Sequence, residues 1–219
     1  MTEQARLTEI DGPMLAMAFP TRHHSTAALA GKEVARLLSP RQWTERFAVQ
    51  CMSETILIPA RLDFASNCLA LLESDEEWRF VRALQTRSND GFVRQRAAWD
   101  LLSSIDPWAA PFIVALIGEY IVEILDDIFG ALTPELERML AAFIVDNEPF
   151  WATTKRRVTS YWNAYYRVNW ASETRRVYRH EEYVGFKLVQ RLESVTMACN
   201  GDGSGSKTFG GFNSPADPH

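Results

Sequence analysis

"PFIVALIGEYIVEILDDIFGAL", residues 111–132, is the most apolar run of the chain, yet it carries Glu119, Glu123, Asp126 and Asp127. It is long enough to span a bilayer, but a charge near a membrane midplane costs several kcal/mol, and four acids exclude that reading. At about 100° per residue the run reads as one helix: with Glu119 at zero, Glu123 falls near about 40°, Asp126 near about −20° and Asp127 near about 80°. Ile113, Val114, Ile117, Ile121, Ile124, Leu125 and Ile128 fall opposite. The spacing therefore predicts an amphipathic helix with a carboxylate stripe. Glu119 and Glu123 are like charges one turn apart, so the stripe calls for water or a cationic partner.

The same period runs through most of the chain. Ser39-Pro40-Arg41-Gln42 reads as a helix start, with Ser as N-cap, Pro in the first turn and Gln closing a capping box. Ser74-Asp75-Glu76-Glu77 and Thr133-Pro134-Glu135 repeat that logic. Asn89-Asp90-Gly91 and Asp106-Pro107 mark two further boundaries. Period-2 strands with hairpin turn signals are not evident. The expected fold is all-α, a compact multi-helix bundle or short HEAT-like helical array of about eight to nine helices. Residues 1–13 are expected to form an N-terminal arm, 14–198 a single helical domain, and 199–219 a flexible Gly/Ser-rich tail.

Apolar residues make up 47% of the 219 positions and charged residues 23%, enough apolar content for a core without disulfide or metal staples. Cys51, Cys68 and Cys199 are widely spaced and form no CxxC pair, so they read as reduced thiols of a cytoplasmic protein. The N-terminal "MTEQARLTEIDGPMLAMAFP" has acids before its apolar run and no basic region, unlike a secretory signal. His23-His24 lies in a Pro-flanked N-terminal segment and is expected in a surface loop.

"NDGFVRQRAAWDLL", residues 89–102, resembles the second half of a HEAT-type repeat through Asp90, Val93, Arg94, Ala97, Ala98 and Leu101. The resemblance implies a helix packed in a helical array. An amphipathic helix with small residues at a close crossing accounts for the same pattern, and no second copy recurs at a fixed period. In the tail, "GDGSGSKT" resembles a phosphate-binding loop, but Ser206 stands where that pattern requires Gly. Asp126-Asp127 resembles the aspartate-rich motif of prenyl-transferring helical enzymes, but Gly130 stands where a third acid is required.

Charge is segregated. Residues 119–148 hold eight acids and one base, a net −7; residues 151–180 hold seven bases and one acid, a net +6. Adjacent segments of opposite sign suggest pairing within the chain. The basic segment is also aromatic: Trp151, Tyr161, Trp162, Tyr165, Tyr166, Trp170 and Tyr178 lie among its arginines. Arg156, Arg157, Trp162, Tyr165, Tyr166 and Arg167 are the expected partner-binding residues, since aromatic faces and guanidinium groups together recognise anionic or stacking ligands.

No GxSxG, HExxH or Cys-His pattern is present, so no catalytic residue is assigned. The expected function is a non-catalytic helical interaction or scaffold protein, able to self-associate, with residues 151–180 as recognition segment. Its partner would be another protein or a second copy, with no cofactor and no membrane. The alternative is a divalent-metal protein or enzyme using Glu119, Glu123 and Asp126 with His180 and Glu181. A second alternative is binding of nucleic acid or an anionic ligand, although a net charge of −5 opposes general affinity for nucleic acid.

Overall fold

The structure, a computed structural model, describes residues 10–40, 42, 45–65, 74–103, 106–168 and 176–202, the last four as backbone only. Among the described residues there are nine α-helices and one two-stranded sheet. The helices are α1 Gly12–Ala16, α2 His24–Leu37, α3 Asp75–Gln85, α4 Gly91–Leu102, α5 Ala110–Ile117, α6 Val122–Ala131, α7 Pro134–Asp146, α8 Glu148–Tyr161 and α9 Val184–Asp202. The all-α expectation holds, and no helix among the described residues is long and apolar enough to cross a membrane.

Three expected starts are capped by local side chains. Ser74 Oγ accepts from Glu77 N, Asp90 Oδ1 from Phe92 N, and Thr133 Oγ1 from Leu136 N. Asp106-Pro107 opens a 3₁₀ turn, Pro107–Ala109, that leads into α5. The expected start at Ser39 is not a helix. Gln42 instead donates to the carbonyls of Ser39 and Asp63 and accepts from Asp63 N, stapling two loops together. His23 ends a 3₁₀ turn and His24 opens α2, so the pair lies on helical backbone rather than in a loop.

A hairpin follows where strands were not expected: β1 Arg46–Cys51 and β2 Glu54–Pro59 pair antiparallel, with Cys51 opposite Glu54. Its two-residue turn places Met52 at φ 54° and Ser53 at φ 67°, the positive-φ pair that matches strand twist. Val49, Cys51, Ile56 and Ile58 point into the core. Asn147, between α7 and α8, locks the hairpin on: its Nδ2 donates to Gln50 O at 2.8 Å and its Oδ1 accepts from Gln50 N at 2.7 Å.

The helices α1 to α4 pack each on the next. The backbones of α1 and α2 touch: a Cβ on Gly31 would stand 2.7 Å from Gly12 O, so only glycine fits. Every residue of α5 is buried, with α4, α6, α7 and α8 around it and α9 closing over α6, α7 and α8. Nearly all the buried apolar residues, from Leu15 to Leu192, form one contiguous cluster. Helical structure begins at Gly12, and α9 runs to Asp202, past the expected start of the tail. The rest of that tail, with its "GSGSKT", and Cys68 and Trp170 lie outside the described residues.

Candidate functional site: an arginine-bound glutamate beside a tyrosine face

The apolar run is two helices rather than one. α5 stops at Gly118, and α6 starts after Ile121 without a side-chain cap. Glu119 sits in the break and is 2% exposed, so it does not share a stripe with Glu123 and Asp126. Its carboxylate is held by arginines from distant parts of the chain. Arg61 Nη2 donates to Oε1 at 2.6 Å and Oε2 at 2.5 Å, Arg87 Nη1 stands 3.9 Å from Oε1, and Arg94 Nη2 stands 3.7 Å from Oε2. Concentrated positive charge in a dry setting gives the physical reason for the break, because a buried guanidinium needs a counter-charge.

The same arginines tie three segments together. Arg87 donates through Nε to Pro59 O and through Nη2 to Ala60 O at the end of the hairpin. Arg94 Nη1 donates to the carbonyls of Ser88 and Asn89 in the turn between α3 and α4. Among the described residues, Arg87 Nη1, Arg94 Nε and Arg94 Nη2 are buried without a hydrogen bond. Burial, above all, pushes the Arg87 pKa down to about 9; Glu119 opposes the shift, while Arg61, Arg157 and Arg94 add to it. None of Arg61, Arg87 or Arg94 was an expected site residue. The available signal was Arg94, which shares a helix face with Ala97, Ala98 and Leu101, all buried.

Glu123 and Asp126 remain exposed on α6. Partial burial, reinforced by Glu123, raises the Asp126 pKa, against the pull of Arg176 and Lys187. Arg176, in the basic segment, thus acts by its charge on this stripe. The other pairings run to α9: Arg191 Nε donates to Glu137 at 2.7 Å, and Lys155 Nζ to Glu193 at 2.5 Å. His180 stacks on Phe186 with ring centroids 3.8 Å apart, and Glu181 is exposed beside it. Glu119, turned inward to its arginines, joins neither. Among the described residues no group of three or more His, Cys, Asp or Glu side chains is placed to hold a metal ion.

The basic aromatic segment is α8 followed by a π turn, Trp162–Tyr166, in which Arg167 N donates to Trp162 O at 2.8 Å. Such i→i−5 turns are rare and recur at functional sites. Two of the expected binding residues hold the segment in place. Trp162 Nε1 donates to Tyr178 O with its ring against Phe186, and Tyr166 donates its hydroxyl to Tyr120 O at 2.5 Å. The three arginines face outward. Arg156, Arg157 and Arg167 are exposed, Arg156 donating to Thr153 Oγ1 and Arg167 to Asn163 Oδ1. Arg157 lays its stem over the break: a Cβ on Gly118 would lie 3.4 Å from Arg157 Cδ.

Tyr165 forms a ring trio with Tyr120 and Tyr161, centroids 5.5 to 6.1 Å apart. Tyr120 is 42% exposed, and the Arg94 guanidinium carbon lies 6.0 Å from its ring centroid. The arginine-bound glutamate and the tyrosine face therefore adjoin at residues 119 and 120. No protein-family model, curated protein or solved structure matches the chain.

Proposed function

We propose that the chain is a helical interaction or scaffold protein whose basic aromatic face recognises an anionic group on a protein partner. The observation that carries this reading is the set of exposed cations, Arg156, Arg157 and Arg167, on the segment that also carries Tyr161 and Tyr165. Among the described residues none of the three forms an ion pair. Tyrosine and arginine are the residue types that contribute most to protein interfaces: the ring supplies rigid area and the guanidinium a fork for carboxylates.

The partner is a protein in this reading because a net charge of −5 disfavours a nucleic-acid backbone except at a local patch. A second copy of the chain is itself acidic and belongs to the same class of partner. Helices α3 and α4 pack as a pair, which suits the HEAT-like resemblance of α4. The buried free thiol of Cys51 suits a cytoplasmic protein.

Fluorescence anisotropy with a fluorescein-labelled hexaglutamate peptide tests the reading. Saturable binding at low salt that weakens as salt is added is the expected result. No binding at low salt overturns it, and tighter binding of a labelled oligothymidylate gives the face to nucleic acid instead.

A further inference from the structure

The tip of the hairpin is held by the 3₁₀ turn Thr21–His23, and one of its two holds runs through a histidine. Met52 and Ser53 carry positive φ, 54° and 67°, a backbone shape that costs a non-glycine residue energy and persists where contacts fix it. The first hold is Glu54, whose Oε2 accepts from the Oγ1 and the backbone N of Thr21. Those bonds, the hydroxyl's first, keep the Glu54 carboxyl below the usual carboxylate range, so it stays ionised in mild acid. The second hold is Arg22. Its Nη2 donates to Met52 Sδ at 3.3 Å, and its Nε donates to His23 Nε2 at 3.0 Å. A guanidinium is one rigid plane, so a movement that breaks one of these contacts carries the other with it.

The Arg22 contact sets the protonation state of the ring. An imidazole nitrogen that accepts a hydrogen bond carries no proton, so His23 is the neutral tautomer with its hydrogen on Nδ1. Nδ1 stands 3.5 Å from Glu76 Oε1. The ring packs against Phe80 and Trp108, with centroids 5.4 and 6.3 Å away. Charged neighbours come from each of these elements. Arg22 and His24 flank His23 in sequence, and His24 is engaged through Nε2 with Phe19 O at 2.9 Å. Glu76 and Arg79 lie on α3, and Arg79 pairs with Asp106 beside its position over Trp108. A proton added to His23 Nε2 removes the acceptor and sets a second cation against the Arg22 guanidinium. It also strengthens the attraction of Glu76 for the ring.

We infer that His23 is a proton-operated catch for the hairpin tip: protonation of its ring turns Arg22 away from His23 and, with it, from Met52. Histidine is the side-chain type that ordinarily titrates between about pH 5 and 8, whereas Glu54 holds Thr21 throughout that range. Met52 is also one wall of a hollow of about 400 Å³ between the hairpin and α7, with Cys51, Met139 and Phe143. Release of the tip therefore changes a wall of that hollow. The catch uses no residue of the basic aromatic face, so its test stands apart from that reading.

The test follows the full chain by NMR from about pH 8 to about pH 5. The His23 Hε1 resonance and the backbone amides of Met52 and Ser53 are expected to titrate with one shared midpoint. His23→Phe keeps a ring against Phe80 and Trp108 and abolishes the titration of both amides. Glu76→Gln lowers the shared midpoint, because the protonated ring loses its counter-charge. Arg22→Met raises the His23 midpoint, because the neutral ring loses its donor and the charged ring loses a neighbouring cation, and it leaves the tip amides without a titration. Arg22 is exposed, so this variant decides the matter where His23→Phe disturbs the packing. Tip amides that do not titrate, that keep their titration in Arg22→Met, or that follow His24 rather than His23 overturn the inference. So does a His23 midpoint that Arg22→Met leaves in place.

Discussion

Arg61 and Glu119 are 58 positions apart in sequence, and Arg61 Nη2 lies 2.5 Å from Glu119 Oε2. The contact places a buried carboxylate among Arg61, Arg87 and Arg94, the last two 1% exposed. Removing one member of a buried ion network leaves the rest uncompensated, which costs about 3–5 kcal/mol. Glu119→Gln keeps the shape and deletes the charge. It is expected to lower the unfolding free energy extrapolated from urea by an amount in that range. Arg61→Met is expected to cost less, because the Arg61 side chain is 32% exposed and partly screened by water.

Asn147 gives a second stability test, because one side chain satisfies both backbone groups of Gln50 and also donates to Phe143 O. Asn147→Leu conserves bulk and leaves those groups without partners. A loss of about 2–3 kcal/mol in chemical denaturation is expected. The Gln50 amide should then exchange with solvent faster than that of Leu57 on the facing strand.

The third test is alkaline. Burial, reinforced by Glu54, pushes the Cys51 thiol from 9.0 up to about 11, with Arg22 opposing. The unfolded chain releases that proton near pH 9 and the folded chain holds it, so the folded state binds more protons in between. The contribution of Cys51 to stability is complete below about pH 9 and is lost as pH rises through about 11. Unfolding midpoints for wild type and Cys51→Val, measured at pH 8, 9.5 and 11, are expected to converge or cross in favour of the variant. A constant difference would contradict the placement of the thiol.

How much of this could be read from the chain depends on how local each feature is. Ser74, Asp90 and Thr133 cap helices three residues or fewer downstream, so their spacing alone identifies the starts. The hairpin was missed although Val49 and Cys51 alternate inward and Ile56 and Ile58 answer them, because Met52-Ser53 lacks the Asn-Gly or Asp-Gly signature of its turn type. Counting 100° per residue carried a helix straight through Gly118, since nothing within ten residues of Glu119 announces Arg61, Arg87 and Arg94. The basic aromatic segment was legible as composition. That Trp162 and Tyr166 anchor it while the arginines face out depends on Tyr120 and Tyr178, which only the fold brings near. The carboxylate stripe was half right: Glu123 and Asp126 share a face, and Glu119 turns away to the core.

Recognition of an anionic partner by the basic aromatic face is tested most directly by reversing its charge without touching the fold. Arg156 and Arg157 are exposed and neither pairs with the acidic helices, so R156E/R157E is expected to change stability by no more than about 0.5 kcal/mol. Binding of labelled hexaglutamate to wild type and variant is then compared by anisotropy, with hexalysine as the opposite probe. Tight binding of hexaglutamate by wild type alone, with the preference reversed in the variant and the thermal melt unchanged, is the expected result. Equal hexaglutamate affinity in the two proteins, or a variant that fails to fold, would contradict the assignment of these arginines to a partner-binding face.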